Sequence, residues 1–126
     1  MDRQWSAKHL SRFPDIDTFV SKWVNRKNVN SWKRFVPQYK VVCEPHSPTP
    51  KVDFVGYFEC LNEDFAYIQQ KVGSKSNLQH LNKTEGAKRD YRDYYTDVSR
   101  KIVEDVYTED IRLFGYDFDN ASLKKR

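Results

Sequence analysis

The chain has 126 residues, 22 of them basic and 18 acidic, for a formal net charge of +4. With 38% hydrophobic and 32% charged residues it excludes a membrane-spanning protein, because no stretch approaches the ~18–20 uninterrupted apolar residues that a spanning helix needs. Eight Phe, eight Tyr and three Trp argue against disorder, and only four Gly and five Pro exclude low-complexity and collagen-like chains. The length fits one domain or part of a larger one.

The charge is unevenly spread. Residues 1–52 hold 10 basic and 4 acidic groups, a net of +6, and residues 53–72 net −3. Residues 73–92 net +3 and residues 93–126 net −2. A basic first part and a short basic island point to an anionic partner, against the simpler reading of a solvated surface. Cys43 and Cys60 are too few for a disulfide scaffold and have no second pair for a zinc site. They read as two thiols rather than a bridge. Met1-Asp2-Arg3-Gln4-Trp5 has no apolar run behind it, so no signal peptide is expected.

In chain order, the first strong element opens at Phe13-Pro14-Asp15. Asp15 is a natural N-cap, and Ile16, Phe19, Val20, Trp23 and Val24 form an apolar stripe at helical period to about Asn25. Residues 26–51 read as a long connection with one short turn at Trp32–Val36, then extended backbone imposed by Pro37, Pro45, Pro48 and Pro50. Val52–Phe58, nearly all β-branched or aromatic, reads as a buried strand ending at Glu59. Asn62 is placed to cap a helix with inner face Phe65, Ile68 and Val72, stopped by Gly73. Residues 74–92 form a polar, basic loop. Thr96 caps a last helix whose apolar face is Val98, Ile102, Val103, Val106 and Tyr107, extended by Ile111. Leu113–Phe118 closes the fold, and Asn120–Arg126 is a basic tail expected to fray.

The glycines, at 56, 73, 86 and 115, are too dispersed for a phosphate-binding Gly-x-x-x-x-Gly-Lys-Ser/Thr loop, and no His-Glu-x-x-His pair or nucleophile elbow occurs. His9, His46 and His80 sit in three separate segments, where a lone histidine is ordinarily a surface or loop residue rather than a base. Glu59 sits where α/β enzymes often carry an acid, or else it orients a loop. The best chemical candidate is Asn82-Lys83-Thr84-Glu85-Gly86-Ala87-Lys88-Arg89. Its amide and hydroxyl donors, flexible Gly86 and three cations suit a phosphate or sulfate group, which accepts hydrogen bonds on every oxygen. Asn82-Lys83-Thr84 and Asn120-Ala121-Ser122 also match the N-glycosylation pattern, read here as chance.

The run Val52-Asp53-Phe54-Val55-Gly56-Tyr57-Phe58-Glu59-Cys60-Leu61-Asn62-Glu63-Asp64-Phe65 resembles a segment of the carbohydrate (family 2) sulfotransferases. His80-Leu81-Asn82-Lys83-Thr84, Tyr91-Arg92-Asp93-Tyr94-Tyr95 and Asp105–Tyr116 resemble later segments of that family, in the same order. Phe13–Val20 and Pro37-Gln38 resemble earlier ones, so the resemblance spans about residues 13–118. It implies an α/β fold: the C-terminal part of a P-loop-NTPase-like sulfotransferase domain, mainly helices packed on a short, mostly parallel sheet. The whole chain, 1–126, would be one partial domain. The implied donor is 3′-phosphoadenylyl sulfate, with no metal, and the implied acceptor is a carbohydrate hydroxyl.

By resemblance, Asn82, Lys83, Thr84, Lys88 and Arg89 lie on the 3′-phosphate side of the nucleotide. These residues lack the family's 5′-phosphosulfate loop, its Arg-x-Pro-x-x-Arg-x-x-Ser segment and its usual base, so no catalytic residue is assigned and the missing N-terminal part of the domain becomes an expected partner. The compartment stays open: cytoplasm for a bacterial chain, Golgi lumen for part of a longer eukaryotic one. Two rival readings stand beside it. One is a non-catalytic module for acidic polysaccharide using Lys22, Arg26, Lys27, Lys33 and Arg34. The other, a nucleic-acid binder built on Tyr91–Tyr95, ranks last because no recognition motif accompanies it.

Overall fold

The computed structural model of the chain describes residues 2–47, 49–79 and 90–119. Its helices are α1 (Asp2–His9), α2 (Ile16–Trp23), α3 (Arg26–Ser31), α4 (Tyr39–Val42), α5 (Leu61–Val72), α6 (Asp97–Val106) and α7 (Thr108–Phe114), with 3₁₀ turns at Phe58–Cys60 and Tyr91–Tyr94. Helix makes up 57% of the structure and no strand occurs among the described residues, so the expected α/β sheet is overturned. Among the described residues the one β-type pairing is an isolated antiparallel bridge between Cys43 and Pro50. Two compact units are distinguished, one of Met1–Pro50 with Arg89–Arg126 and one of Lys51–Lys88.

In the first unit the core is aromatic. The Trp23 ring lies 4.2 Å from Trp32, 5.1 Å from Phe35 and 5.2 Å, stacked, from Phe19. Val20, Val24 and Val29 are buried beside it, each worth about 1.5–3 kcal/mol relative to exposure. Ile102, Val103, Val106 and Tyr107 pack against this cluster from α6 and its C-terminus, as their helical spacing requires. Val98, counted on the same face by spacing, is instead 66% exposed. The predicted start of α2 is present: the Asp15 carboxylate accepts the Thr18 amide at 2.7 Å. Trp5 of α1 joins the cluster edge-on to Trp32, at 5.2 Å.

The connection after Asn25 is more regular than its prolines suggest. The Asn25 side chain accepts the amides of Lys27 and Asn28, at 3.1 and 2.9 Å, and starts α3. Asp110 does the same for α4 from far along the chain. The last helix also departs from its expected form, because it breaks at Tyr107. The Thr108 hydroxyl donates to the carbonyls of Glu104 (2.7 Å) and Asp105 (3.0 Å), and such back-bonding bends helices. Thr96 caps α6 as expected, in a reciprocal box with Ser99, and Gly115 ends α7 at φ 67°, a left-handed conformation that glycine adopts without Cβ strain. The two cysteines are thiols, Cys43 buried and Cys60 half-buried.

In the second unit, the strand expected at Val52–Phe58 is not present, and Phe58 instead opens a 3₁₀ turn. A strand needs a neighbour for its backbone groups, and among the described residues no ladder partner is present. Instead the Asp64 carboxylate accepts the Tyr57 amide at 2.6 Å, and the Cys60 amide donates to the Tyr57 carbonyl, closing a 3₁₀ turn. α5 therefore starts at Leu61 rather than behind an Asn62 cap, and it ends at Gly73 (φ 67°) as expected. Of its expected inner face Phe65 is half-buried, whereas Ile68 is 40% and Val72 69% exposed. Phe54 packs on Tyr67 at 4.9 Å between ring centres.

Candidate functional site

Asn82, Lys83, Thr84, Lys88 and Arg89 lie outside the described residues, as does His80. Asp90 accepts the Arg92 amide at 3.0 Å and so caps the Tyr91–Tyr94 turn. The Arg92 guanidinium grips the same carboxylate with two donors, Nε to Oδ1 at 2.9 Å and Nη2 to Oδ2 at 2.5 Å. It also reaches Asp119 at 3.4 Å. Hydrogen bonds from the Arg92 side chain and amide hold the Asp90 carboxyl down to about 2, and the same carboxylate raises Arg92 above its ordinary value.

Tyr91 ties this turn to the chain's closing segment. Its hydroxyl donates to the Phe118 carbonyl. Tyr91 and Tyr95 meet the Phe118 ring edge-on, at 5.7 and 5.8 Å, and the Arg100 guanidinium lies over that ring at 4.5 Å. Between them opens a cavity of about 390 Å³, lined by Tyr91, Tyr95, Arg100, Val103, Glu104 and Phe118 among others. Burial pushes both tyrosine hydroxyls above their ordinary value. Aromatic walls with one cation, Arg100, and two carboxylates, Glu104 and Asp117, suit a flat or ring-shaped ligand bearing polar substituents.

The last helix pair also holds the Pro37-Gln38 segment. Asp110 accepts the amides of Gln38 and Tyr39, both at 2.8 Å, and the Tyr107 hydroxyl donates to the Phe35 carbonyl at 2.8 Å. Three stretches singled out along the sequence, at Pro37-Gln38, Tyr91–Tyr95 and Asp105–Tyr116, thus meet in one unit. Sequence reasoning missed Arg100 and the Asp117-Phe118 wall of the cavity. The signal available was the aromatic run Phe114-Gly115-Tyr116-Asp117-Phe118, which reads as closing core until Tyr91 and Tyr95 are seen to face it.

A family model described as the sulfotransferase family matches residues 2–117. The chain belongs to the sulfotransferase family. No curated protein and no solved structure matches it. Membership of this family carries sulfuryl transfer as its general chemistry, with a nucleotide donor and an acceptor as substrates. Among the described residues no group of His, Cys, Asp and Glu could hold a metal ion, and no helix is long and apolar enough to cross a membrane.

Proposed function

We propose that these residues form the C-terminal part of a sulfotransferase domain that moves a sulfuryl group from 3′-phosphoadenylyl sulfate to a carbohydrate hydroxyl. Asn82, Lys83, Thr84, Lys88 and Arg89 take the 3′-phosphate side of the donor. The family match over residues 2–117 carries the reading, together with the donor-rich loop at the position where the family resemblance expects it. In the transfer the acceptor oxygen forms a bond to sulfur as the bond from sulfur to the 5′-phosphate oxygen breaks. The hydroxyl proton leaves, and adenosine 3′,5′-bisphosphate departs. Such chemistry depends on positioning and charge stabilisation more than on covalent help from the protein.

On this reading the 126-residue chain supplies one wall of the donor pocket. It binds adenosine 3′,5′-bisphosphate weakly, on the order of millimolar, because association costs apply in full to a partial site. Binding weakens with salt. An NMR titration tests this with Lys83→Ala and Lys88→Ala, which should abolish the shifts, and with Lys22→Ala, which should not. Loop resonances that stay still at high nucleotide would overturn the assignment. Incubation with labelled donor and heparan- or chondroitin-type acceptors should give no measurable transfer by this chain alone.

A further inference from the structure

The second unit leaves one face of α5 uncovered. Leu61, Phe65, Ile68 and Val72 follow one another at alternating spacings of four, three and four residues. That is the spacing of a coiled-coil seam, which keeps an apolar stripe in line along a helix. Phe58, in the turn that leads into α5, continues the stripe one heptad before Phe65. Phe58 is 83% and Leu61 43% exposed, Ile68 and Val72 are exposed too, and Phe65 is half-buried. Apolar side chains exposed singly are ordinary, whereas five in one register make an interaction face.

The unit's own loop packs beside this stripe rather than on it. Phe54 covers Tyr67 at 4.9 Å, and the Asp64 carboxylate accepts the Tyr57 amide through Oδ2 at 2.6 Å. By helical spacing Asp64 and Tyr67 lie together on one flank of the seam.

The charges say what pairs with the seam. Asp64 and Lys71 border it on one side, and the neutral Asn62 and Gln69 border it on the other. When two such helices run antiparallel, Leu61 meets Val72 of the other helix, Phe65 meets Ile68, and each Asp64 lies against the other helix's Lys71. In a parallel pair Asp64 faces Gln69 and both ion pairs are lost. Lys71 lies over the Tyr67 ring at 5.5 Å and is ion-paired with no carboxylate among the described residues. The face is thus self-complementary about a two-fold axis.

We infer that a second copy of this chain covers the α5 face, in an antiparallel pair that buries the Phe58–Leu61–Phe65–Ile68–Val72 seam and sets Asp64 against Lys71 of the other copy. α5 has 12 residues, a length of about 18 Å, so the pair buries less than the roughly 1,600 Å² of a standard interface. The dimer is therefore weak, with a Kd on the order of 100 μM.

Sedimentation equilibrium of the whole chain, from about 10 μM to about 1 mM, should show a reversible monomer–dimer equilibrium. Ile68→Asp and Val72→Asp should each keep the chain monomeric over that range. The far-UV circular dichroism should not change, because both side chains are exposed in the single copy. Lys71→Glu should weaken the dimer roughly three- to tenfold, since it sets like charges face to face, and Lys71→Arg should retain it. Gln70→Glu, on the opposite face of α5, should leave it unchanged. In an equal mixture of labelled and unlabelled chain, isotope-filtered NOEs should join the Phe65 ring to Ile68 methyls, and Leu61 to Val72, across copies.

A chain that stays monomeric at about 1 mM overturns the inference and leaves the seam to a different polypeptide or to the chain's own residues. Dimerisation that survives Ile68→Asp and Val72→Asp overturns it too. So do NOEs that join Ile68 to Ile68 and Phe65 to Phe65, because they mark a parallel pair.

Discussion

The carboxylate of Asp110 accepts the backbone amide of Gln38 at 2.8 Å, across 72 positions of sequence. Its second oxygen accepts the next amide, that of Tyr39, also at 2.8 Å. A side chain on α7 therefore supplies the hydrogen-bond acceptors that the first turn of α4 has no backbone partner for. Asp110→Ala should cost about 1 kcal/mol, seen as a lower denaturant midpoint with unchanged slope, and Asp110→Asn should recover part of it. An unchanged midpoint in Asp110→Ala would mean that the two segments are not joined in solution.

The α2–α6 junction should be sensitive to acid. The Asp17 carboxylate accepts the Thr96 hydroxyl at 2.7 Å and the Thr96 amide at 3.3 Å. Hydrogen bonds from Ser99 and then Thr96 lower its pKa from 3.8. The folded state therefore holds the Asp17 proton less tightly than the unfolded chain does. Its contribution to stability is present above 3.8 and is lost as the pH falls through the lower folded value. Thr96→Val, which removes both the cap and this partner, should cost about 1 kcal/mol at neutral pH and flatten the acid limb of a stability–pH curve. A limb of unchanged steepness would count against the junction.

A carboxylate titration can read the Asp90–Arg92 pair directly. Asp90 should titrate near 2 in the folded chain, below its ordinary 3.8, because Arg92 donates to it. Both groups are solvent-exposed, so the readout is the midpoint rather than global stability. Arg92→Ala should return the Asp90 midpoint toward 3.8. It should also loosen the Tyr91–Tyr94 turn, followed through the Tyr91 ring resonances.

At high pH Tyr107 contributes to stability. Burial pushes its hydroxyl up to about 12 from 10.0. The folded chain keeps this proton after the unfolded chain has released it, so the contribution is intact below pH 10 and is lost as the pH rises toward 12. Tyr107→Phe removes the bond to the Phe35 carbonyl, at 2.8 Å, and should also remove this part of the alkaline decline. An alkaline limb identical in wild type and variant would show that the decline belongs to other groups.

Some of this chain was legible from residue order because local physics decides it. Asp15 and Thr96 cap α2 and α6 through amides three residues away, and Gly73 terminates α5 through its own backbone. The apolar spacing of Val20, Trp23 and Val24 needs nothing but helical geometry to make a face. The loop at 82–89 was likewise chosen by residue type and by family resemblance, and it lies outside the described residues.

Where a distant partner decides, residue order misled. Val52–Phe58 has the composition of a strand, but a strand exists only with a neighbour to complete its hydrogen bonds, and the described residues pair Tyr57 with Asp64 instead. Prolines made residues 26–51 look like bare connection. Asn25 and Asp110 turn parts of it into helix, and the second of these lies over 70 positions from the amides it serves.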